Sequence, residues 1–461
     1  MNHAATAAWW RWGALLLIAL GAGPACSKDD GRFSTPATRG REVVLVGGGE
    51  SLDMRASFLD GELIFWQHDD RADVLAAFLE KPFDTRPRSR LIELSDHPQA
   101  ITAAADAAGQ ICLVSLRYDE GGLSTITARV SGNRGMSWSR PTVVHQERGE
   151  LVILDSDSLV PGGPGEWFLL IRYRLGLAPK GQLFQVYRFQ GNQWALGGFV
   201  PGTDDLSVSD SASLGVSNDG RLAVAFITYA GVLRVLESAD GGQTWVALGA
   251  PARLSVPGVR IPFLYPPLVA EAPRVSEQMP SLRWTPGGWA LVWEAHVRTR
   301  AGVLLTWDNY VDTLFARYDR AAGKWTATVR INDRRMVIRT AMPPLNAGGG
   351  MSGLAMVHRA ARGTDLRYPH LAVAASGRLA IFWSELRAGR IVPVASVSSD
   401  GGSSWSRTVV FEALGVGDSD YVRGAFDPVG NVQAVYRTWP GQTALQAPSG
   451  VRLRASEITL R

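Results

Sequence analysis

"SADGGQTW", Ser238 to Trp245, is the stretch from which the fold can be read. It sets a serine, an aspartate two places on, a pair of glycines and a closing tryptophan within eight positions. Each residue type has a local reason to be there. The Asp240 carboxylate can accept backbone N–H groups across its own turn. Gly242 permits backbone angles that other residues resist. Trp245 is suited to packing between neighbouring sheets, and Ser238 offers one more local hydrogen bond. A near copy, "SSDGGSSW", repeats the pattern with Ser398, Asp400, Gly402 and Trp405. A third, "SGNRGMSW", keeps Ser131 and Trp138 and puts Asn133 where the aspartate stands in the others.

The turn belongs to a larger repeat. A glycine-containing turn leads into an apolar strand at "DGELIFW" from Asp60, "AGQICLVSLRY" from Ala108 and "GEWFLLIRYR" from Gly165. It recurs at "DGRLAVAFI" from Asp219, "GGWALVW" from Gly287, "SGRLAIFW" from Ser376 and "VGNVQAVYR" from Val429. Glycine turns and strands rich in Val, Ile, Leu and aromatics exclude helical repeats. "LAVAFI" is apolar on both faces, as a strand between two packed sheets must be. Repeats of this length then read as propeller blades. The expectation is an all-β β-propeller with seven blades, six remaining open because units five and six are irregularly spaced. After the last unit only "VRLRASEITLR" remains, one strand short of a blade. "REVVLVG" from Arg41 can supply the missing strand, so that paired chain ends remove the open edge.

The three turns match the Asp-box, S-x-D-x-G-x-[TS]-W, and the chain resembles the sialidase-like propellers over most of residues 42–461. "YDRAAGKW" from Tyr318 and "FQGNQW" from Phe189 look like decayed copies. In that family the boxes lie on the face opposite the active site, so the turn repeats with the blade and does not carry the function. The resemblance implies three arginines on a substrate carboxylate, a tyrosine–glutamate nucleophile pair and an aspartate acid/base. A tyrosine nucleophile is an exception to two-carboxylate glycoside hydrolysis. On that pattern Tyr421 is the candidate nucleophile, with Tyr368 as the alternative and Glu277 as the base. Arg260, Arg298 and Arg423 are the candidate carboxylate clamp. Arg260 opens "RIP", matching the family's arginine tripeptide, although here it follows two boxes instead of preceding the first. Loops after the second strands also carry charge, Arg172, Glu294, Glu385, Arg387 and Arg437 among them, where they would ring a channel mouth.

Composition narrows the rest. Only four of the 47 basic residues are lysine, and no basic run carries interleaved aromatics, so nucleic acid is not an expected partner. The seven histidines form no H-x-H or HExxH pattern, so neither a metal nor another cofactor is expected. Residues 1–25 hold Arg11, a short apolar run from Ala14 to Leu20 and small residues before Cys26. The run is too short to span a membrane. It resembles a bacterial lipoprotein signal with Cys26 as the lipidated residue, an ordinary secretory signal being the alternative. The expected organisation is a signal at 1–25, a flexible tether at 26–41 and the propeller at 42–461, with long connections near 247–277 and 332–367. An exported envelope protein follows, held to the outer membrane by lipid alone. It is expected to bind a glycan or an envelope protein at the channel mouth, or alternatively to hydrolyse sialosides.

Overall fold

The structure, a computed structural model, describes residues 37–49, 57–59, 63–65, 75–80, 88–93, 98, 100–148, 152–153, 158–173, 184–203, 212–228, 232–253, 274–301, 306–333, 338–341, 369–387, 390–411, 418–427, 430–439 and 451–460. Among these every regular element is a β-strand. Strand β1 (Ala37–Gly49) comes first, taking in residues 37–41 that the sequence reading assigns to the tether. Two hairpins follow, β2 (Ser57–Leu59) with β3 (Leu63–Phe65) and β4 (Leu75–Glu80) with β5 (Arg88–Glu93). Sheet A holds β6 (Ala100–Ala105), β7 (Ile111–Tyr118), β8 (Leu123–Ser131) and β9 (Thr142–Arg148). Sheet B holds β10 (Val152–Ile153), β11 (Leu159–Pro161), β12 (Trp167–Tyr173), β13 (Phe184–Gln190) and β14 (Gln193–Phe199). Sheet C is β15 (Ala212–Val216), β16 (Leu222–Ile227), β17 (Leu233–Ser238) and β18 (Val246–Gly249).

Sheet D has β19 (Arg274–Thr285), β20 (Gly288–Ala301), β21 (Thr306–Asp319) and the short β22 (Lys324–Trp325), β23 (Val329–Arg330) and β24 (Ile338–Ala341) on β21. Sheet E is β25 (His370–Val373), β26 (Leu379–Arg387), β27 (Arg390–Ser398) and β28 (Val409–Val410). Sheet F is β29 (Asp418–Phe426), β30 (Val432–Trp439) and β31 (Val451–Leu460), with β1 as its fourth strand. β1 lies antiparallel to β31 from Ala37↔Leu460 to Gly49↔Val451, so the two ends of the described chain share one sheet. All the pairings are antiparallel.

The first strands of successive units touch in turn: β2 meets β6, then β11, β15, β19, β25 and β29 follow, and β29 meets β2. The second strands explain why the sheets stack. Leu222, Val224 and Phe226 of β16 join the core shared with sheets A and B, whereas Ala223, Ala225 and Ile227 join the core shared with sheet D. β20 and β26 divide their side chains in the same alternating way, as the two-residue period of a strand requires. At about 25 cal/mol per Å² of apolar surface, these double-sided strands supply the largest favourable term in the fold. Serines stitch neighbouring sheets. Ser213 Oγ accepts Leu282 N at 2.9 Å, and Ser281 Oγ accepts Leu371 N at 3.2 Å.

All the box-like turns join a third strand to a fourth: β8 to β9, β13 to β14, β17 to β18, β21 to β22 and β27 to β28. In the 238–245 turn, Ser238 donates to Asp240 Oδ1 at 2.7 Å and accepts Gly242 N at 2.8 Å. Asp240 accepts Thr244 N at 2.9 Å and the Thr244 hydroxyl at 2.6 Å, and Trp245 Nε1 donates to Gly242 O at 2.9 Å. The bonds from Thr244 and Ser238 hold the Asp240 carboxyl down at about 2. Ser398, Asp400 and Ser404 repeat the arrangement. Asn133 also fits: its Oδ1 accepts Ser131 Oγ and Ser137 N, while its amide donates to Ser137 Oγ at 2.8 Å. Gly402 has φ +94°, and a Cβ there would lie 2.5 Å from Phe315, so both the angle and the space demand glycine. Trp405 is buried with its ring 5.0 Å from that of Phe315 in sheet D.

Candidate functional site

First-to-second turns share an end of each sheet with the box turns, since every neighbour is antiparallel. The other end carries the second-to-third hairpins and the connections into the next sheet. Equivalent places on the second strands can be counted from Ile111, Trp167, Leu222, Trp289, Leu379 and Val432, the residues just after each turn. Five residues on, towards that other end, stand Leu116, Arg172, Ile227, Glu294, Ser384 and Arg437. Polar groups therefore concentrate at this level in sheets B, D, E and F, and the neighbouring side chains in sheets D and E add to them.

Glu294 is 0% exposed in β20, on the face that carries Ala290 and Val292 towards sheet E. Thr313 of β21, paired with Glu294, shares that face with Phe315. Across from them, Glu385 (2% exposed) and Arg387 continue the face of β26 that carries Ile381 and Trp383. The Arg387 side chain, 14% exposed, donates from Nη2 to Glu385 Oε2 at 3.2 Å and to Asp333 Oδ1 at 3.4 Å. Asp333 reaches it from the segment after β23, so this guanidinium ties sheet E to sheet D. Next to Asp333, Asn332 Oδ1 accepts Thr313 N at 2.9 Å, and its Nδ2 donates to Asp312 Oδ1 at 3.3 Å.

This end of the D–E seam is polar and incompletely bonded. Trp383 Nε1, Thr313 Oγ1 and Arg387 Nε are buried without a hydrogen-bond partner among the described residues. Buried polar groups left so are uncommon in folded proteins. Donors facing carboxylates in one seam suit a hydroxyl, which donates and accepts at once. Among the described residues, no three of His, Cys, Asp and Glu are arranged to hold a metal ion.

The residues singled out by resemblance are distributed as follows. Tyr421 and Arg423 lie in β29, and Glu277 lies in β19. Both strands are first strands; Tyr421 and Glu277 stand in their N-terminal halves, towards the end away from the boxes, and Arg423 lies just past the middle of β29. Each strand is bulged there. Between Asp420 and Arg423 two residues, Tyr421 and Val422, stand opposite the single Tyr436. Between Gln278 and Ser281 two others stand opposite Trp293. Such bulges bend a strand and re-aim its side chains. Arg423 is half-buried and donates from Nη1 to Val422 O at 3.2 Å. Arg298 lies four residues beyond Glu294 in β20, where the β20–β21 hairpin and β24 extend past the other sheets. Arg260, Tyr368 and Cys26 lie outside the described residues. Glu294 and Glu385 depart from the sequence reading: they stand inside strands, buried, and not in the loops after them. Sequence reasoning passed over Asp333, Asn332 and Thr313. For Asn332 and Asp333 the signal is "IND" after the short β23, at the start of a connection expected to overhang the channel mouth; Thr313 lies within β21.

No protein-family model matches the chain, and no curated protein matches its sequence. Among solved structures, a protein of unknown function from Dyadobacter fermentans is similar at 14% identity, covering 92% of this chain and 99% of that one, with a TM-score of 0.44. An alpha-L-arabinanase from Penicillium chrysogenum is similar at 12% identity, covering 78% and 98%, with a TM-score of 0.43. The NanB sialidase from Streptococcus pneumoniae is similar at 12% identity, covering 78% and 68%, with a TM-score of 0.38. The architecture described above rests on the strand pairings and not on these likenesses.

Proposed function

We propose that this chain is a lipid-anchored envelope protein whose sialidase-like propeller of seven blades binds a glycan at the end opposite its box turns. The returning order of contacts among the first strands and the pairing of β1 with β31 support a closed ring. The observation that carries the binding reading is the D–E seam, where donors buried without a partner among the described residues stand beside Glu294, Glu385 and Asp333. Sugar hydroxyls match that mixture, and a polar interior without partners has a desolvation cost that a ligand relieves. The purified domain is expected to bind a subset of an arrayed glycan panel. No binding to any glycan would leave an envelope protein as the partner.

Cys26 is the proposed anchor, with outer-membrane placement favoured by Ser27 after it. Labelling with a radioactive fatty acid is expected to mark the protein; an unlabelled protein, or a mature start elsewhere, removes the anchor.

The bulge at Tyr421 favours a second reading, sialoside hydrolysis. In it Tyr421 is the nucleophile, Glu277 its base and Arg260, Arg298 and Arg423 the carboxylate clamp. A carboxylate near the phenol would help take its proton, since an unperturbed tyrosine titrates near about 10. Turnover of a fluorogenic sialoside that disappears in Tyr421→Phe is the expected result on this reading. Undiminished turnover in that variant moves the role to Tyr368, and no turnover by the wild type leaves the binding module.

A further inference from the structure

We propose that His145 makes the joint between sheets A and B responsive to pH, its ring changing charge while one tyrosine hydroxyl turns. The His145 side chain, on β9 and 10% exposed, is enclosed by side chains of sheet B. Its Nδ1 lies 2.7 Å from the Tyr187 hydroxyl and its Nε2 3.4 Å from the Tyr173 hydroxyl. Both phenols also reach Gln185 Oε1, Tyr173 at 2.8 Å and Tyr187 at 3.3 Å.

Two proton arrangements satisfy this network. With a neutral ring, Tyr187 donates to Nδ1, Nε2–H points to the Tyr173 oxygen, and Tyr173 donates to Gln185. With a charged ring, both ring nitrogens donate, so Tyr187 must send its proton elsewhere. Gln185 Oε1 is already within its reach. No backbone needs to move, and only one hydroxyl rotates. Glu147, 41% exposed, holds its carboxylate 4.0 Å from Nε2 and supplies the opposing charge.

Among the described residues, the groups facing His145 are Glu147 from its own strand, Tyr173 from β12, and Tyr187 and Gln185 from β13. β14, which also contacts β9, has no ionisable residue. Arg129, the sole charged residue of β8, alternates to the side opposite Ile126, the residue paired with His145. Burial therefore dominates. It holds the His145 ring below the usual histidine range against the pull of Glu147. Burial also pushes the Tyr187 phenol up to about 12, so the tyrosines stay protonated throughout.

The sign follows from linkage. An unfolded histidine titrates near about 6.5. Between that value and the lower folded value, the unfolded chain binds the extra proton and the folded chain does not. Stability present at neutral pH is therefore lost as pH falls through this window, and the loss levels off below the folded value. Acidification loosens the A–B seam.

The test is melting of the full domain at about pH 7.5 and about pH 5.5, with a histidine ring titration by NMR assigned from the variant spectra. The wild type is expected to lose melting temperature in acid. His145→Gln stays neutral and can still bond Tyr187, and should lose that pH-dependent part. Tyr187→Phe removes an acceptor needed by the charged ring, and should lower the His145 proton affinity, by about tenfold for each pH unit of midpoint shift. A His145→Gln protein with the wild-type pH dependence overturns the proposal. So does an unmoved midpoint in Tyr187→Phe. Should the variants not fold, a wild-type His145 midpoint at or above the ordinary value overturns it as well.

Discussion

Removal of residues 455–461, "ASEITLR", is expected to unfold the whole domain and not merely trim its end. β31 is an interior strand that pairs with β30 on one side and β1 on the other. The deletion takes away the partners of Val43 and residues before it in β1, and of Val432 to Val435 in β30. Val432, Ala434 and Val435 are buried, and the backbone beside them would become an open edge. Each backbone group left buried and unpaired costs about 1–3 kcal/mol, and several would be stranded together. Stability margins of about 5–15 kcal/mol are typical, so the loss is comparable with the whole margin. Thermal melting followed by circular dichroism should give an unfolded or aggregated truncation. The point variant Ala455→Pro, which removes one ladder donor between Val43 and Val435, should melt below the wild type. A truncation that melts like the full-length protein would show that the pairing of β31 with β1 and β30 does not hold the fold together.

Arg387→Met should be the most damaging single substitution at the polar end of the D–E seam. The side chain keeps its volume but loses its charge, leaving Glu385, 2% exposed, and Asp333 without the guanidinium that serves both. Breaking a buried pair by removing one partner costs about 3–5 kcal/mol, because a charge is stranded in a poor solvent. Asp333 is half-buried, so Asp333→Asn should cost less. The combination Arg387→Met with Glu385→Leu should recover much of the loss, since the deeply buried charge is then gone and only the half-buried Asp333 is left without the guanidinium. Urea unfolding of the single and double variants measures this directly. Equal stability of Arg387→Met and wild type would mean that the ion pair contributes nothing and that Glu385 is held by its other contacts.

These two expectations draw on different levels of information. The box turns were legible because each is local: Ser238, Asp240, Gly242 and Thr244 bond within four residues of one another. The second strands were legible because a run such as "LAVAFI" needs apolar surroundings on both faces, whichever sheets supply them. Even the role of the last eleven residues could be read, because an incomplete unit at one end matched a spare strand at the other. These readings use spacing along the chain, and local spacing is what backbone geometry and a two-residue period convert into structure.

The candidate site was legible only as a set of charges. Glu294, Glu385 and Arg387 could be named, but the sequence placed them in loops. Their burial depends on how far β20 and β26 run before turning. Asp333 meets Arg387 from 54 residues away, and His145 meets Tyr187 from 42 residues away. Each meeting requires two sheets to stack at one height and each strand to keep its register. A slip of one residue would turn every side chain to the other face. Sequence alone thus determined the repeating all-β unit and its hairpin chemistry. Tertiary structure decided which charges are buried together, because contacts across a seam are set by the packing of whole sheets and not by any property of the chain between them.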